Sequence, residues 1–347
     1  MTELSSQPLR MRKLITISIP VFNEEGNIDS LWQRLDDVAR ANSRYDFEFL
    51  FTDNASTDNT FAKLAVRAAQ DRRIRVLRFS RNFGFQRSIL TNFLNAKGDA
   101  AIQIDADLQD PPELITEFLA KWEQGYKVVY GIRQRRIENR LLMLARKLHY
   151  RLIRALSEVP VPMDAGDFRL VDRIIIGALG QQGDHAPYIR GLIASLGYPQ
   201  IGIPYDRGVR VAGRTKFNLP ALIMLSIDGV CSQSTRPIQY ITAFGFVTSL
   251  CSAVLVFVYF ILYLASGGSA ARGFTTLVLL MLTSIGLQAL FIGVIGEYVG
   301  RIYNNVRGQP LTIIADRIEP NGTLDSPGAL DLAQFGVARV DHRAAHA

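Results

Sequence analysis

Ala100-Ala-Ile-Gln-Ile-Asp105-Ala-Asp107-Leu-Gln109-Asp110-Pro-Pro-Glu113 holds the pattern that decides how this chain folds. Ala100–Ile104 is apolar enough for a buried strand and stops at a pair of carboxylates. Pro111-Pro112 then opens a helix that should run to about Gln124, because proline is tolerated where a helix's first N–H groups have no partner. The same unit recurs on both sides. Leu14–Ile19 reads as a strand ending at Pro20, with a helix capped by Asn27 or Ser30 running to about Asn42. Phe47–Thr52 is a second strand, followed by the polar turn Asp53–Asp58 and a helix through about Gln70. Ile74–Phe79 is a third strand before a helix over Phe85–Ala96, and Lys127–Tyr130 is a fifth. Strands alternating with helices predict a mostly parallel sheet wound on both faces. Ligands gather at the carboxyl ends of the strands in such sheets. Asn23, Asp53, Arg81, Asp105 and Arg133 all follow a predicted strand.

Asp105 and Asp107, two residues apart after a strand, can face one cation. Their oxygens suit Mg²⁺ or Mn²⁺, which usually also take substrate phosphates and water. A diphosphate leaving group needs such an ion to offset developing charge. Pro20-Val-Phe22-Asn23-Glu24-Glu25 and Asp53-Asn54-Ala-Ser56-Thr-Asp58 supply short polar groups that can hold a base and a ribose. Singly, each of these stretches also reads as ordinary turn and capping chemistry. Together, in this order and each at a strand end, they are far more specific.

The chain has 347 residues, enough for one large α/β domain and further elements. Its apolar residues concentrate in Ile241–Ala265 and Phe274–Gly296, neither of which holds an acidic or basic side chain. Both exceed the roughly 20 residues that a helix needs to cross a bilayer core. Arg236 precedes the first run, Arg301, Arg307 and Arg317 follow the second, and Ser266–Gly273 between them carries only Arg272. The basic excess predicts both outer flanks on the cytosolic side. Met1–Lys13 is polar, and Leu14–Ile19 is short for a secretory signal, so the large domain is expected in the cytosol. Asn139–Leu156 reads as a basic helix with an apolar face. Phe217–Val230, interrupted at Pro220, reads as an interfacial one, and Tyr298–Val306 is similar. The expected divisions are a tail over 1–13, a catalytic domain over 14–216, an amphipathic segment over 217–237, a two-helix transmembrane hairpin over 238–297, a cytosolic juxtamembrane segment over 298–318 and a poorly ordered tail over 319–347. The formal net charge is +7. Basic residues cluster near the apolar runs and in Arg133–Arg154, which favours lipid head groups and a phosphorylated substrate; no nucleic-acid-binding motif accompanies them. Cys231 and Cys251 have neither metal-ligand nor redox-pair spacing.

With these residues in place, the sequence resembles glycosyltransferase family 2 and its GT-A fold. The resemblance covers roughly Leu14 to Ile314. It narrows to the polyprenyl-phosphate glycosyltransferases: dolichol-phosphate mannose synthases, bactoprenol glucosyltransferases and the aminoarabinose transferases of lipid A modification. Arg81-Asn-Phe-Gly84, Gly131-Ile-Arg133, Gly166-Asp167-Phe-Arg169-Leu, Arg207-x-x-Arg210-x-x-Gly213-x-Thr215-Lys216 and Gly296-Glu-Tyr-x-Gly-Arg-Ile-Tyr303 extend it. It implies an α/β GT-A domain with a Rossmann-like, mostly parallel sheet, plus two transmembrane helices with amphipathic juxtamembrane helices. Pro20, Phe22, Asn23, Glu24 and Asp53 would line the nucleotide pocket, with Asp105, Ala106 and Asp107 completing the donor site. Asp105 and Asp107 would meet Mg²⁺ or Mn²⁺, with Gln109 as third ligand. Arg133, Arg169, Arg210 and Lys216 would serve the acceptor phosphate or the donor diphosphate. Arg133 and Asp167 would stand at the reaction centre, Asp167 as base or as orienter.

The resemblance implies inverting transfer to undecaprenyl or another polyprenyl phosphate at the cytoplasmic face of a bacterial inner membrane. Glucose from UDP-glucose is the first choice, with the sugar and uridine against guanosine left open, as is assembly into a homo-oligomer. Two departures stand out. Asp53-Asn54-Ala55-Ser56 replaces the usual Asp-Asp-Gly-Ser, and Phe85-Gln86 follows Gly84 where many relatives have a basic residue. A processive polysaccharide synthase would usually carry Gln-x-x-Arg-Trp, and neither Trp32 nor Trp122 sits in that motif. A non-catalytic nucleotide-sugar-binding scaffold would have no need of Asp105, Asp107, Arg133 and Lys216 together.

Overall fold

The computed structural model describes residues 12–133, 165–181, 188–206, 208, 236–265, 274–307, 310–320 and 323–325. The strands are β1 Leu14–Val21, β2 Asp46–Asp53, β3 Ile74–Phe79, β4 Ala100–Gln103, β5 Val128–Arg133, β6 Ala165–Asp172, β7 Gln200–Tyr205, β8 Ile314–Ile318 and β9 Leu324–Asp325. They form one sheet in the order β7-β5-β6-β4-β1-β2-β3-β8-β9. The helices are α1 Ile28–Ala41, α2 Thr60–Gln70, α3 Phe85–Asn95, α4 Ile115–Glu123, α5 Arg173–Gln181, α6 Ile189–Ser195, α7 Arg236–Ala265 and α8 Phe274–Val306. A 3₁₀ turn over Pro112–Leu114 leads into α4, where the proline pair foretold a helix start. Asn27 stands at the N-cap of α1 but makes no side-chain cap; its amide donates to Glu24 Oε2 instead.

Alternate residues along a strand face opposite sides of a sheet. Ala100, Ile102, Val129 and Leu170 therefore join one apolar cluster with α1, α2 and α4. Ala101, Val128 and Val171 join the other with α3, α5 and α6. Burial on both faces explains why β1 is an unbroken buried run, Leu14–Val21. It also accommodates Pro20. Leu14 and Ser18 turn their carbonyls toward β4, accepting from Asp99 and Ile104, so Pro20 shares that side. The β4 ladder has ended at Ser18↔Gln103, so the missing N–H breaks no bond.

The sheet is mixed where a mostly parallel one was expected. β1 pairs in parallel with β2 and β4, β2 with β3, and β5 with β7. β3–β8, β4–β6, β5–β6 and β8–β9 are antiparallel. The main cause is β6, which inserts between β4 and β5. Its Asp167 and Arg169 alternate with Phe168 and Leu170, so two buried charges hide a strand.

α7 and α8 are 30 and 33 residues long, about 45 and 50 Å at the helical rise. They touch through Phe244 and Phe291, whose rings meet edge to face at 6.1 Å. Large apolar side chains stand exposed along both, among them Phe246, Phe257, Leu280 and Ile292. Among the described residues, Thr283–Gly300 is long and apolar enough to cross a membrane, and Ile238–Thr248 is a shorter apolar stretch. Beyond α8 the chain returns to the sheet. Thr312 and Thr91 share a hydroxyl hydrogen bond at 3.0 Å, Ser80 N–H donates to the Ile313 carbonyl, and β8 pairs with β3. The segment expected as juxtamembrane over 298–318 is thus the end of α8 followed by a sheet strand. The expected disorder from Glu319 is corrected at Leu324–Asp325, which form β9. The proposed helices Asn139–Leu156 and Phe217–Val230, the connection Ser266–Gly273 and the last residues of the chain lie outside the described residues.

Candidate active site

Val21 pairs with Asp53 and Ser18 with Gln103, so β1, β2 and β4 deliver their turns to one rim. Each turn contains a residue in the left-handed region: Asn23 at φ 57°, Ala55 at 60° and Leu108 at 58°. Asn tolerates that conformation; for Ala and Leu it costs about 1–2 kcal/mol.

The first two turns interlock. Ser56 Oγ accepts from Asn23 N–H at 3.0 Å, Thr60 Oγ1 from Glu24 N–H at 2.9 Å, and Asn23 Oδ1 from Thr57 N–H at 2.8 Å. Asp53 is fully buried, and its Oδ1 accepts from Ser56 N–H at 3.0 Å. Burial pushes its carboxyl upward, opposed by the bonds from Ser56 and by Arg78, whose Nε lies 3.4 Å from Oδ2. Asn54 explains its own departure from the usual aspartate. Its Oδ1 accepts from Phe83 N–H at 2.8 Å while its amide donates to Asn82 Oδ1 at 2.9 Å, and that oxygen already accepts from Gly84 N–H. A carboxylate at 54 would have no proton to give. Pro20 and Ala106 were expected to line the donor site. Pro20 is buried within β1 and Ala106 within the core, so at 106 only the backbone can meet a ligand.

The third turn is acidic. Asp107 is nearly buried and accepts from Gln109 N–H at 3.2 Å; Asp110 is fully buried. Asp105 Oδ1 is buried without a hydrogen-bond partner. Burial first, then Asp110, Asp167 and Asp107, push the Asp105 carboxyl up to about 7, with Arg133 opposing. A bare carboxylate oxygen among acids fits a hard divalent cation. Among the described residues no three Asp, Glu, His or Cys groups converge to hold an ion by themselves. Phosphate and water oxygens would have to complete its shell.

Opposite the acids stand β5, β6 and β7. Arg133 Nε donates to the Tyr205 hydroxyl at 3.2 Å, and its Nη2 lies 3.5 Å from Asp110 Oδ2. Tyr205 in turn donates to Asp110 Oδ1. Two glycines make room: a Cβ on Gly131 would lie 2.5 Å from Tyr205 Cε1, and one on Gly166 3.2 Å from Arg133 Nη2. Asp167 is nearly buried and bound side-on by Arg190, with Nε to Oδ1 at 2.8 Å and Nη2 to Oδ2 at 2.7 Å. Burial raises this carboxyl, but Arg190, then Arg169 and Arg133, outweigh it and hold it below the ordinary range.

Arg169 is a correction. It was expected to meet a phosphate, yet it is buried in β6 with Nη2 on the Gly166 carbonyl and Nε without a partner. Burial lowers its guanidinium to about 10, with Asp167 opposing. The structure brings Asp105, Asp107, Asp110, Asp167 and Arg133 together, with Asn23 and Asp53 further along the rim. Arg210 and Lys216 lie outside the described residues; Gly208, just before them in sequence, donates its N–H to the Gln109 carbonyl at 2.9 Å. Reading the sequence missed Arg190 and Tyr205. The one available signal for Arg190 is a cation within the apolar run Ile189–Ile193, since a buried charge demands a partner.

Residues 16–180 match the family described as Glycosyl transferase family 2. The chain is 36% identical over 300 residues to the uncharacterized glycosyltransferase YkcC of Bacillus subtilis (strain 168), covering 86% of this chain and 92% of that one. It is 33% identical over 304 residues to the prophage bactoprenol glucosyl transferase homolog of Escherichia coli (strain K12), covering 86% and 98%. Against the bactoprenol glucosyl transferase of Shigella phage SfII the identity is 33% over 302 residues, covering 86% and 97%. A solved mannosyltransferase from Pyrobaculum calidifontis, in complex with GDP-Man and Mn²⁺, aligns over 88% of this chain and 91% of its own at 16% identity and a TM-score of 0.46. The chain belongs to glycosyltransferase family 2 and is an enzyme of sugar transfer.

Proposed function

We propose that this enzyme moves a hexosyl group, with glucose from UDP-glucose the first choice, onto a polyprenyl phosphate at the cytoplasmic face of a bacterial membrane. Two relatives that align over nearly their full length are named for bactoprenol glucosyl transfer. The observation that carries the reading is the bare, buried Asp105 Oδ1 among acids, on a carboxyl that also feels the Arg133 charge. An acidic pocket ringed by held cations suits the meeting of a metal diphosphate with a second anion.

In this reading an oxygen of the lipid phosphate attacks the anomeric carbon from the face opposite the diphosphate. The bond from that carbon to the diphosphate oxygen breaks, and the nucleoside diphosphate leaves with the electron pair, inverting the centre. The acceptor is already anionic near neutral pH, so no hydroxyl proton has to be removed. Asn23, Asp53 and Ser56 hold the base and ribose. Arg133, fixed by Tyr205 and Asp110, offsets the repulsion of the two substrates. Asp105 and Asp107, with Gln109 in reach, would hold Mg²⁺ or Mn²⁺, which supplies charge neutralisation at the leaving diphosphate. α7 and α8 form a two-span hairpin that keeps the rim at the membrane surface.

The test is incubation of the full chain with radiolabelled nucleotide sugars and undecaprenyl phosphate, reading label in the organic phase. UDP-glucose should label the lipid. Chelator, Asp105→Asn and Asp107→Asn should each remove most of the label, and calorimetry should show metal-dependent UDP binding lost in both variants. No lipid label from any nucleotide sugar, or full transfer in chelator, overturns the proposal.

A further inference from the structure

We infer that Arg190 is a positioning residue that fixes Asp167 as a permanent anion of the site and removes it from proton transfer. This rests on the acceptor being a phosphate only in that such an acceptor needs no base.

The geometry is a fork on a fork. Both Asp167 oxygens receive Arg190 N–H groups, at 2.8 and 2.7 Å, the bidentate arrangement that guanidinium and carboxylate hold most firmly. Arg190 stands at the second position of α6, whose Ile189, Leu192 and Ile193 are packed into the core, so the fork is presented by an anchored helix. Among the described residues, the charged groups that act on Asp167 are Arg190 on α6, Arg169 on β6 and Arg133 on β5, with Asp105 across the rim; Tyr188 stands beside Arg190 and Arg169. A general base needs a lone pair aimed at the proton it takes. Arg190 takes one lone pair of each Asp167 oxygen, and a positive charge held that close makes the carboxylate a weak base.

A fixed anion has a use in this reaction. As the bond to the diphosphate lengthens, positive charge develops on the sugar ring. A carboxylate that is already ionised and oriented stabilises that charge without reorganising. Arg190 sets the orientation, and its neighbour Asp105 meets the donor.

The experiment compares wild type, Asp167→Asn, Arg190→Lys and Arg190→Ala for kcat, for KM of both substrates and for rate between about pH 6 and 9. Arg190→Ala should lower kcat by roughly 100-fold, in the range lost with one preorganised electrostatic group. Donor affinity by calorimetry should stay within about 3-fold. Added guanidinium ion should restore part of the rate in Arg190→Ala, and none when Asp167→Asn is also present. Removing the Asp167 charge also lowers the Asp105 carboxyl, so the acidic limb of Asp167→Asn should move to lower pH without vanishing. Should Arg190→Ala not fold, Arg190→Lys and the Asp167→Asn profile decide the matter. An acidic limb present in wild type and absent in Asp167→Asn, or wild-type kcat in Arg190→Ala, overturns the inference. An enzyme that never labels lipid phosphate would instead sink the proposed function, since that failure appears already in the wild type.

Discussion

Tyr205 gives its phenolic proton to Asp110 Oδ1, and that one contact joins the last residue of β7 to the buried carboxylate of the acidic turn. The same hydroxyl accepts from Arg133 at 3.2 Å. Burial, with Asp110 adding to it, pushes the hydroxyl well above its ordinary value, so it stays a donor across the working pH range. Tyr205→Phe should therefore loosen both Asp110 and Arg133. We expect a stability loss of about 1–3 kcal/mol, the cost of depriving a buried polar group of a partner, and a fall in transfer rate with little change in UDP affinity. Thermal unfolding and steady-state kinetics of the variant check this; unchanged melting would show that Asp110 does not depend on Tyr205.

Ala55 sits at φ 60° where relatives usually place glycine. Ala55→Gly relieves a left-handed alanine and should stabilise the protein by about 1 kcal/mol, net of the greater freedom of glycine in the unfolded chain. A higher unfolding midpoint in detergent is the expected result. If the turn is instead held open for the nucleotide by its strain, UDP affinity will drop in the same variant.

Arg78 bridges two acids. It lies 3.4 Å from Asp53 and 3.8 Å from Asp316 of β8, and it covers the Phe61 ring at 4.4 Å. The strand that returns from the apolar helices thus reaches the nucleotide turn through one guanidinium. Because burial raises the Asp53 carboxyl above its ordinary 3.8, the folded chain takes a proton there that the unfolded chain does not. The contribution of this group to stability therefore falls as pH rises through that window. Arg78→Met removes the opposing cation and extends the window upward. UDP affinity should fall by roughly 10-fold, and further as the pH is lowered. A pH-independent loss would mean that Arg78 acts by packing on Phe61 alone.

These contacts also show what could be read beforehand. β1 to β5 were legible because each is mostly apolar and followed by turn residues; even β3, with Arg75 and Arg78, keeps Ile74, Val76, Leu77 and Phe79 in the core. β6 was not, since Asp167 and Arg169 break its apolar run and their partners come from other elements. β8, Ile-Ala-Asp-Arg-Ile, has no strand signature of its own and owes its state to β3, far back in the chain. Asp105, Asp107 and Arg133 were visible as residues after strands. Of the partners that fix the far side of the site, Tyr205 carries no local pattern, and Arg190 only that of a cation among apolar neighbours. For Arg169, spacing assigns a cation to the site but does not show that it is buried in β6 with Nη2 on the Gly166 carbonyl.

The basic flanks predict that both ends of the helix pair lie on the catalytic side of the membrane. A reporter fused after Ala347 should be active only in its cytosolic form, and one inserted near Gly268 only in its external form. The opposite pattern would reverse the orientation; a cytosolic result at both sites would mean that α7 and α8 do not cross.

The acceptor phosphate must approach the anomeric carbon beside a diphosphate, and like charges that close need cations around them. Arg133, tied to Tyr205 and Asp110, offsets only part of that repulsion, so the rim needs further positive charge. Gly208 bonds the Gln109 carbonyl at 2.9 Å, which brings the chain to the edge of the acidic turn. Arg210 follows two residues later in the sequence, outside the described residues. Lys216 follows just before the segment expected in the membrane interface, where a lipid phosphate would arrive. Arg210→Ala and Lys216→Ala should therefore raise the KM for polyprenyl phosphate by roughly 10-fold or more while leaving UDP affinity within about 2-fold. Donor calorimetry alongside transfer at varied lipid phosphate makes the comparison. Normal lipid kinetics with a lost donor affinity would move both residues to the diphosphate and leave the acceptor to Arg133 alone.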